Sequence, residues 1–200
     1  LCIRDWLCVG AHAVDRAGPG PGDRVLVIGA GPIGLGVMAF ARLVGAEVIA
    51  LDVDPGRLDH CRATHGVAHT VVAGDDTAER VEELTGGDRA DVVFDATGSP
   101  PSMQAAFHHV AHGGRLVLVG HANAEITFSD PLFHSREMTL MASRNARPED
   151  FARVLAALEG SQVDPGGWIT HRTAFDDLIE AFPTYTRREG GLVKAVVEMG

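Results

Sequence analysis

Residues 24–54 read RVLVIGAGPIGLGVMAFARLVGAEVIALDVD, and this stretch decides the fold. Val25, Leu26, Val27 and Ile28 form an unbroken aliphatic run, the mark of a strand buried on both faces of a parallel sheet. Gly29, Gly31 and Gly34 follow at G-x-G-x-x-G spacing. In that pattern the first glycine makes a tight turn, the second lets a pyrophosphate approach the backbone, and the third lets the helix lie close to the strand. Pro32 suits the first turn of the helix, because its missing N–H would have no partner there anyway. The apolar helix stops at Gly45. A second apolar strand over 47–51 leads to Asp52, the acid that such units place about 20 residues past the glycines. A G-x-G-x-x-G alone is weak evidence. Strand, turn, helix, second strand and terminal acid in the required order supply its confirming context, and they point to a dinucleotide site.

Downstream, strands and helices keep alternating. Asp54 and Pro55 have the N-cap and first-turn chemistry of a new helix. Residues 69–72 read as a third strand, 76–84 as an amphipathic helix, and 91–95 as a fourth strand followed by Ala96-Thr97-Gly98. A helix over 102–111 is stopped by Gly113-Gly114, a fifth strand over 115–119 ends at Gly120, and 137–142 reads as a sixth. This order predicts a doubly wound parallel α/β sheet with helices on both faces. Ligands of such sheets bind beyond the carboxyl ends of the strands, so 29–34, Asp52, 96–98, Gly120-His121 and 142–144 should line one crevice. From Pro148 the character changes. A helix over 149–158 precedes two short strands, 168–170 and 193–197, with a helix at 176–186 between them, and the last strand has no obvious partner within the nucleotide fold.

Composition excludes several classes of function. A net charge of −10 argues against nucleic acid and anionic membrane surfaces as partners. Charges and glycines interrupt every apolar run before it reaches membrane-spanning length. The first residues lack the basic-then-apolar pattern of a secretory leader, which makes the cytoplasm the expected location. The three cysteines, Cys2, Cys8 and Cys61, lack C-x-x-C spacing, so neither a disulfide framework nor a self-contained cysteine zinc site is expected. Of the ten histidines, His108 and His112 stand at i, i+4 on the predicted helix, but no third ligand accompanies them, and a solvated face is the better reading. His121 differs, because it follows the fifth strand at the crevice. No nucleophile triad or pair is present, and the single tyrosine, Tyr185, has no lysine four residues on. No catalytic residue is therefore assigned. The charge of Asp52 disfavours a 2′-phosphate and so favours NAD over NADP, a preference that nearby Arg57 weakens.

LCVGAHAV at 7–14, PGDRVLVIGAGPIGL at 21–35, DATGSP at 95–100, GGRLVLVG at 113–120 and EMTLMASRN at 137–145 together carry a resemblance. The chain resembles the medium-chain dehydrogenases/reductases, and among them the zinc-dependent polyol, sugar-acid and threonine dehydrogenases. The resemblance implies a Rossmann domain in which Asp52 binds the adenosine ribose with Arg57 beside it, while Gly31, Pro32 and Ile33 hold the pyrophosphate. It assigns Ala96, Thr97 and Gly98 to the adenosine side, and Val119, Gly120 and His121 to the nicotinamide. Ser143 and Arg144 would sit at the nicotinamide end and Lys194 near the phosphates. It further implies residues 1–19 as a link from a catalytic domain, 20–160 as the NAD-binding domain, and 161–200 as a segment returning to that catalytic domain.

Zinc is implied as well, but its ligands in the family belong to the separate catalytic domain. Where the polyol enzymes read Glu-Pro-Leu this chain reads Asp5-Trp6-Leu7, which leaves Asp5 as a lone candidate ligand. The implied activity is NAD-dependent oxidation of a secondary alcohol on a polyol or sugar acid, in a homo-oligomer (dimer or tetramer) built through the sixth strand. This stretch alone should bind cofactor rather than turn over substrate, and its tail should expose apolar side chains around Trp168-Ile169 and 192–197. Two alternatives stay open: a zinc-free quinone or enone reductase of the same superfamily, and a non-catalytic NAD(H)-binding module.

Overall fold

Strand β1 (Arg24–Ile28) turns Val25 and Val27 to one face of the sheet and Leu26 and Ile28 to the other, and all four are buried. That double burial is the reason for the unbroken aliphatic run. The computed structural model describes residues 2–187 and 191–199. Around β1 run β2 (Glu47–Asp52), β3 (His69–Val72), β4 (Ala90–Asp95), β5 (Val110–Leu118) and β6 (Thr139–Ala142). They form one six-stranded sheet in the order β3-β2-β1-β4-β5-β6, every pair parallel. The order reverses between β1 and β4, the topological switch point at which such sheets open a crevice. The register is tight there: Ile28 lies opposite both Leu51 and Asp95, and Asp95 opposite Leu118.

Helices cover both faces. One side carries α1 (Cys2–Ala17), α2 (Pro32–Leu43), α3 (Pro55–His65) and α7 (Pro148–Glu159), whose apolar residues share a core with Val25, Val27 and Phe94. The other carries α4 (Thr77–Leu84), α5 (Pro100–Ala105) and α6 (Asp130–Ser135) over Leu26, Ile28 and Val93. Helices α1 and α2 cross unusually closely. A Cβ on Gly10 would stand 2.5 Å from the carbonyl carbon of Gly36, so only hydrogen fits between the two backbones. No described helix is long and apolar enough to cross a membrane.

Several expectations require correction. The helix expected over 102–111 ends at Ala105, continues as a 3-10 turn (Ala106–His109), and gives way to β5 at Val110. Val110 pairs with Ala90, and the ladder then slips before Val92 meets Arg115. The pairing energy of a buried strand outweighs the helical tendency of these residues. His112 is consequently a strand residue, 3.7 Å from Glu137, and shares no helix face with His108. Helix α6 was not expected, although its N-cap Ser129 and following Asp-Pro are readable start signals.

The tail differs most. Residues Gly166–Trp168 form a 3-10 turn rather than the start of a strand. The strands are β7 (His171–Ala174) and β8 (Ala195–Glu198), which pair in parallel as a separate two-stranded sheet, with α8 (Leu178–Arg187) between them. The last strand therefore pairs within the tail and, as expected, not with the nucleotide sheet. Trp168, expected to be exposed, is 1% exposed: its ring lies 4.7 Å from that of Trp6, and its Nε1–H donates to His65 Nδ1 at 2.6 Å. Apolar exposure falls instead on Phe175, Ile179 and Phe182.

Candidate cofactor-binding cleft

A cleft of about 940 Å³ opens at the carboxyl ends of β1, β2 and β4. Gly29, Gly31, Pro32, Ile33, Asp52, Arg57, Ala96 and Thr97, all singled out from the sequence, line it together. The two remaining glycine roles separate cleanly. A Cβ on Gly34 would stand 1.8 Å from the carbonyl oxygen of Gly29, so Gly34 is required by the packing of α2 against the turn. A Cβ on Gly31 would meet nothing within 4 Å, and its φ of −80° suits any residue. Nothing in the fold itself demands glycine at 31. The space it leaves is on the cleft side, at the N-terminus of α2, where unpaired N–H groups and the helix dipole favour an anion.

Asp52 is held rather than loose. Its Oδ2 accepts from Ala30 N–H at 2.6 Å and its Oδ1 from Asp54 N–H at 2.9 Å, so the carboxylate is anchored between the glycine turn and the start of α3. Arg57 Nη1 stands 3.9 Å from Oδ2 and its Nε 3.8 Å from Asp54 Oδ2, so the arginine is drawn toward both acids. Asp95 organises the loop after β4. It is fully buried and accepts from Thr97 N–H, Thr97 Oγ1 and Ser102 Oγ. Its backbone carbonyl accepts from Val119 and Gly120 N–H, which ties the loop after β5 to the loop after β4. A Cβ on Gly98 would lie 2.9 Å from the carbonyl oxygen of His121, so 96–98 and 119–121 are in backbone contact although only the first two residues line the cleft.

At the end of β6, Ser143 N–H donates to Leu118 O at 2.9 Å, while its hydroxyl is buried without a partner. Arg144 is exposed. Lys194 does not line the cleft; its neighbours Leu192 and Val193 do. Asp5 is exposed on α1, and among the described residues no group of three or more His, Cys, Asp or Glu is arranged to hold a metal ion. Asp5 by itself does not fit a zinc centre. Cys61 is no nucleophile, since burial and then Asp52 push its thiol up to about 12.

Sequence reasoning missed part of the lining. Ala73, Gly74 and Thr77 lie just past β3, and the strand-end rule that found Asp52 applies to them equally. Tyr185 and Leu192 come from the tail, and no local signal marks them.

The family described as zinc-binding dehydrogenase matches residues 32–160. The chain is 39% identical over 189 residues to L-galactonate-5-dehydrogenase of Escherichia coli (strain K12), covering 94% of this chain and 56% of that protein. The chain belongs to the zinc-binding dehydrogenase family. It is also 31% identical over 201 residues to D-xylulose reductase of Scheffersomyces stipitis, covering 96% of this chain and 55% of that one. Among solved structures, an Escherichia coli oxidoreductase/dehydrogenase of unknown specificity superposes with a TM-score of 0.92 at 25% identity, over 99% of this chain and 57% of the other. This member of the family thus spans little more than half the length of the curated relatives it matches. Its sheet is the doubly wound Rossmann arrangement of that family.

Proposed function

We propose that this chain is the NAD-binding part of a dehydrogenase that oxidises a secondary alcohol of a polyol or sugar acid. The observation that carries the reading is Gly31: a glycine the fold does not need, facing a cleft at a helix N-terminus, beside an anchored acid at the end of β2. The relatives named for L-galactonate and D-xylulose support the substrate class.

In this reading 20–160 is the cofactor domain, 1–19 leads into it, and 161–200 leads back to the remainder of the enzyme. The backbone around Gly31, Pro32 and Ile33 and the α2 N-terminus take the pyrophosphate. Asp52 accepts from the adenosine ribose hydroxyls, with Arg57 beside it. Ala96, Thr97 and Gly98 flank the adenosine side. Val119, Gly120, His121, Ser143 and Arg144 serve the nicotinamide end, where the unpaired Ser143 hydroxyl is free to meet a polar group. Lys194, next in sequence to the cleft-lining Val193, supplies a cation for the phosphates. The bound nicotinamide supplies the hydride acceptor, while the chain's own residues bind, orient and shield it. The anchored charge of Asp52 opposes a 2′-phosphate, which supports NAD over NADP. The substrate pocket and the acceptor of the hydroxyl proton are assigned to the additional length that the relatives possess.

Gly31→Val tests the reading. A branched side chain would fill the cleft without striking the protein, so binding of both NAD and ADP-ribose should fall at least about a hundredfold, with the melting temperature nearly unchanged. Calorimetric titration against the parent chain measures it. Normal NAD affinity in the variant would move the site elsewhere.

A further inference from the structure

The LCVGAHAV stretch forms the middle of α1, yet the cofactor reading leaves its histidine without a task. His12 is 7% exposed and faces α7, where its Nδ1 stands 2.9 Å from Asp150 Oδ2. The two atoms are in close polar contact without a hydrogen bond, and Nδ1 has no other partner. Asp150 is 2% exposed, and the same oxygen accepts from Arg147 N–H at 2.7 Å. Arg147 is the N-cap of α7 and the last residue of the loop that leaves β6. Burial opposes ionisation of Asp150, but the Arg147 backbone and side chain and then His12 overcome it and hold the carboxyl below its usual range.

The loop over residues 143–147 is therefore gripped at both ends. Its first residue is tied to the sheet through Ser143 N–H to Leu118 O, and its last through Arg147 N–H to Asp150. Between them Asn145 adopts a φ of +56°, a conformation that asparagine tolerates better than most residues and that needs both flanks fixed. Further contacts hold α7 to α1 around the His12 pair: Arg153 Nη2 donates to Ala11 O at 2.8 Å, and Arg147 and Arg153 both pair with Asp15. Helix α1 also meets α2 at Gly10 and Gly36, so it spans the space between the glycine turn and the loop after β6.

We propose that His12 is a positioning residue, which acts through Asp150 to fix residues 143–147 against the nicotinamide half of the bound cofactor. This rests on the cofactor assignment above. A buried acid that holds the N-cap of α7 is itself held in place by a buried imidazole on another helix. Removing the imidazole frees the acid to turn, and the loop loses its C-terminal anchor. Misplacement of about 1 Å is enough to matter at such a site.

Comparing NADH with ADP-ribose, which lacks the nicotinamide, tests the idea on the full 200-residue chain. His12→Leu keeps the buried volume and should weaken NADH about tenfold while ADP-ribose stays within about twofold. His12→Asn returns an N–H near the Nδ1 position and should recover most of the loss. Asp150→Asn keeps an acceptor for Arg147 but removes the charge facing His12, and should repeat the NADH-selective loss. Unchanged NADH affinity in His12→Leu and Asp150→Asn would overturn the proposal. So would an equal loss of both ligands, which would mean that the pair only supports the fold. Failure of the parent chain to bind either ligand would instead overturn the cofactor assignment.

Discussion

Asp52 is the residue on which cofactor choice turns. Its two oxygens already accept from Ala30 and Asp54 N–H, so truncation loses an anchor of the turn as well as a ribose partner. Hydrogen bonds to a charged group contribute about 1.5–3 kcal/mol each, so Asp52→Ala should weaken NAD about ten- to a hundredfold, with NADP little affected or improved. Titration of both cofactors on both proteins decides it; a parallel loss of the two would mean that only the anchoring role counts. Two histidines set a second expectation. Burial, aided by His108 and Arg89, lowers His109 to about 4, and burial with His60 and Arg42 does the same for His65, against 6.5 for a free imidazole. With the folded pKa depressed, the unfolded chain takes up the proton first as the pH falls. Stability from this source is full above pH 6.5 and is lost on the way down to about 4. His109 should account for about 2–3 kcal/mol of that loss, and His65, more open to solvent, for less. Urea midpoints across this range should fall, and His109→Gln should flatten the slope; an identical slope in the variant would show that other groups carry it.

At the scale of elements, the crossing of α1 over α2 is the contact with least room. A methyl at Gly10 would stand 2.5 Å from the backbone of Gly36, and neither backbone can yield like a flexible side chain. Gly10→Ala should force the helices apart and destabilise the chain by about 1–3 kcal/mol, read as a shift in urea midpoint. Unaltered stability would mean that α1 slides freely. The glycines that a motif picks out and those that packing needs are thus different sets. Gly31 and Gly34 are conspicuous by spacing, whereas Gly10 and Gly36 are 26 residues apart and meet only because two helices cross.

For the whole molecule, β6 is one of the two edge strands of the six-stranded sheet, opposite β3, and Leu140 on it is 38% exposed. An unpaired strand edge with an apolar side chain favours pairing with a second copy. We expect a dimer through β6, weakened by Leu140→Lys, with size exclusion and light scattering as the readout. The tail contributes a second apolar surface through Phe175, Ile179 and Phe182. Deleting residues 161–200 should reduce higher association and leave the dimer, though it also strips the cover that Trp168 gives Trp6. A clean monomer from the intact chain would refute both expectations.

The sequence by itself determined the sheet, the glycine turn and Asp52, because these rest on local periodicity and on residues within one strand–helix–strand unit. Strands β1, β2 and β4 were legible for the same reason: each is an apolar run ended by turn residues, and parallel pairing buries both of its faces. What lay outside local reach was decided by tertiary structure alone. The stretch around His108 and Val110 looks helical until Val110 finds Ala90 on the neighbouring strand. Trp168 looks exposed until the tail brings it to Trp6 and His65, and Tyr185 joins the cleft by the same return of the chain. His12 and Asp150 are separated by most of the chain, and only the packing of α1 on α7 removes both from water and makes each the other's partner. Such pairs leave no trace in spacing or composition, since the energy that joins them exists only once the surrounding core has excluded solvent.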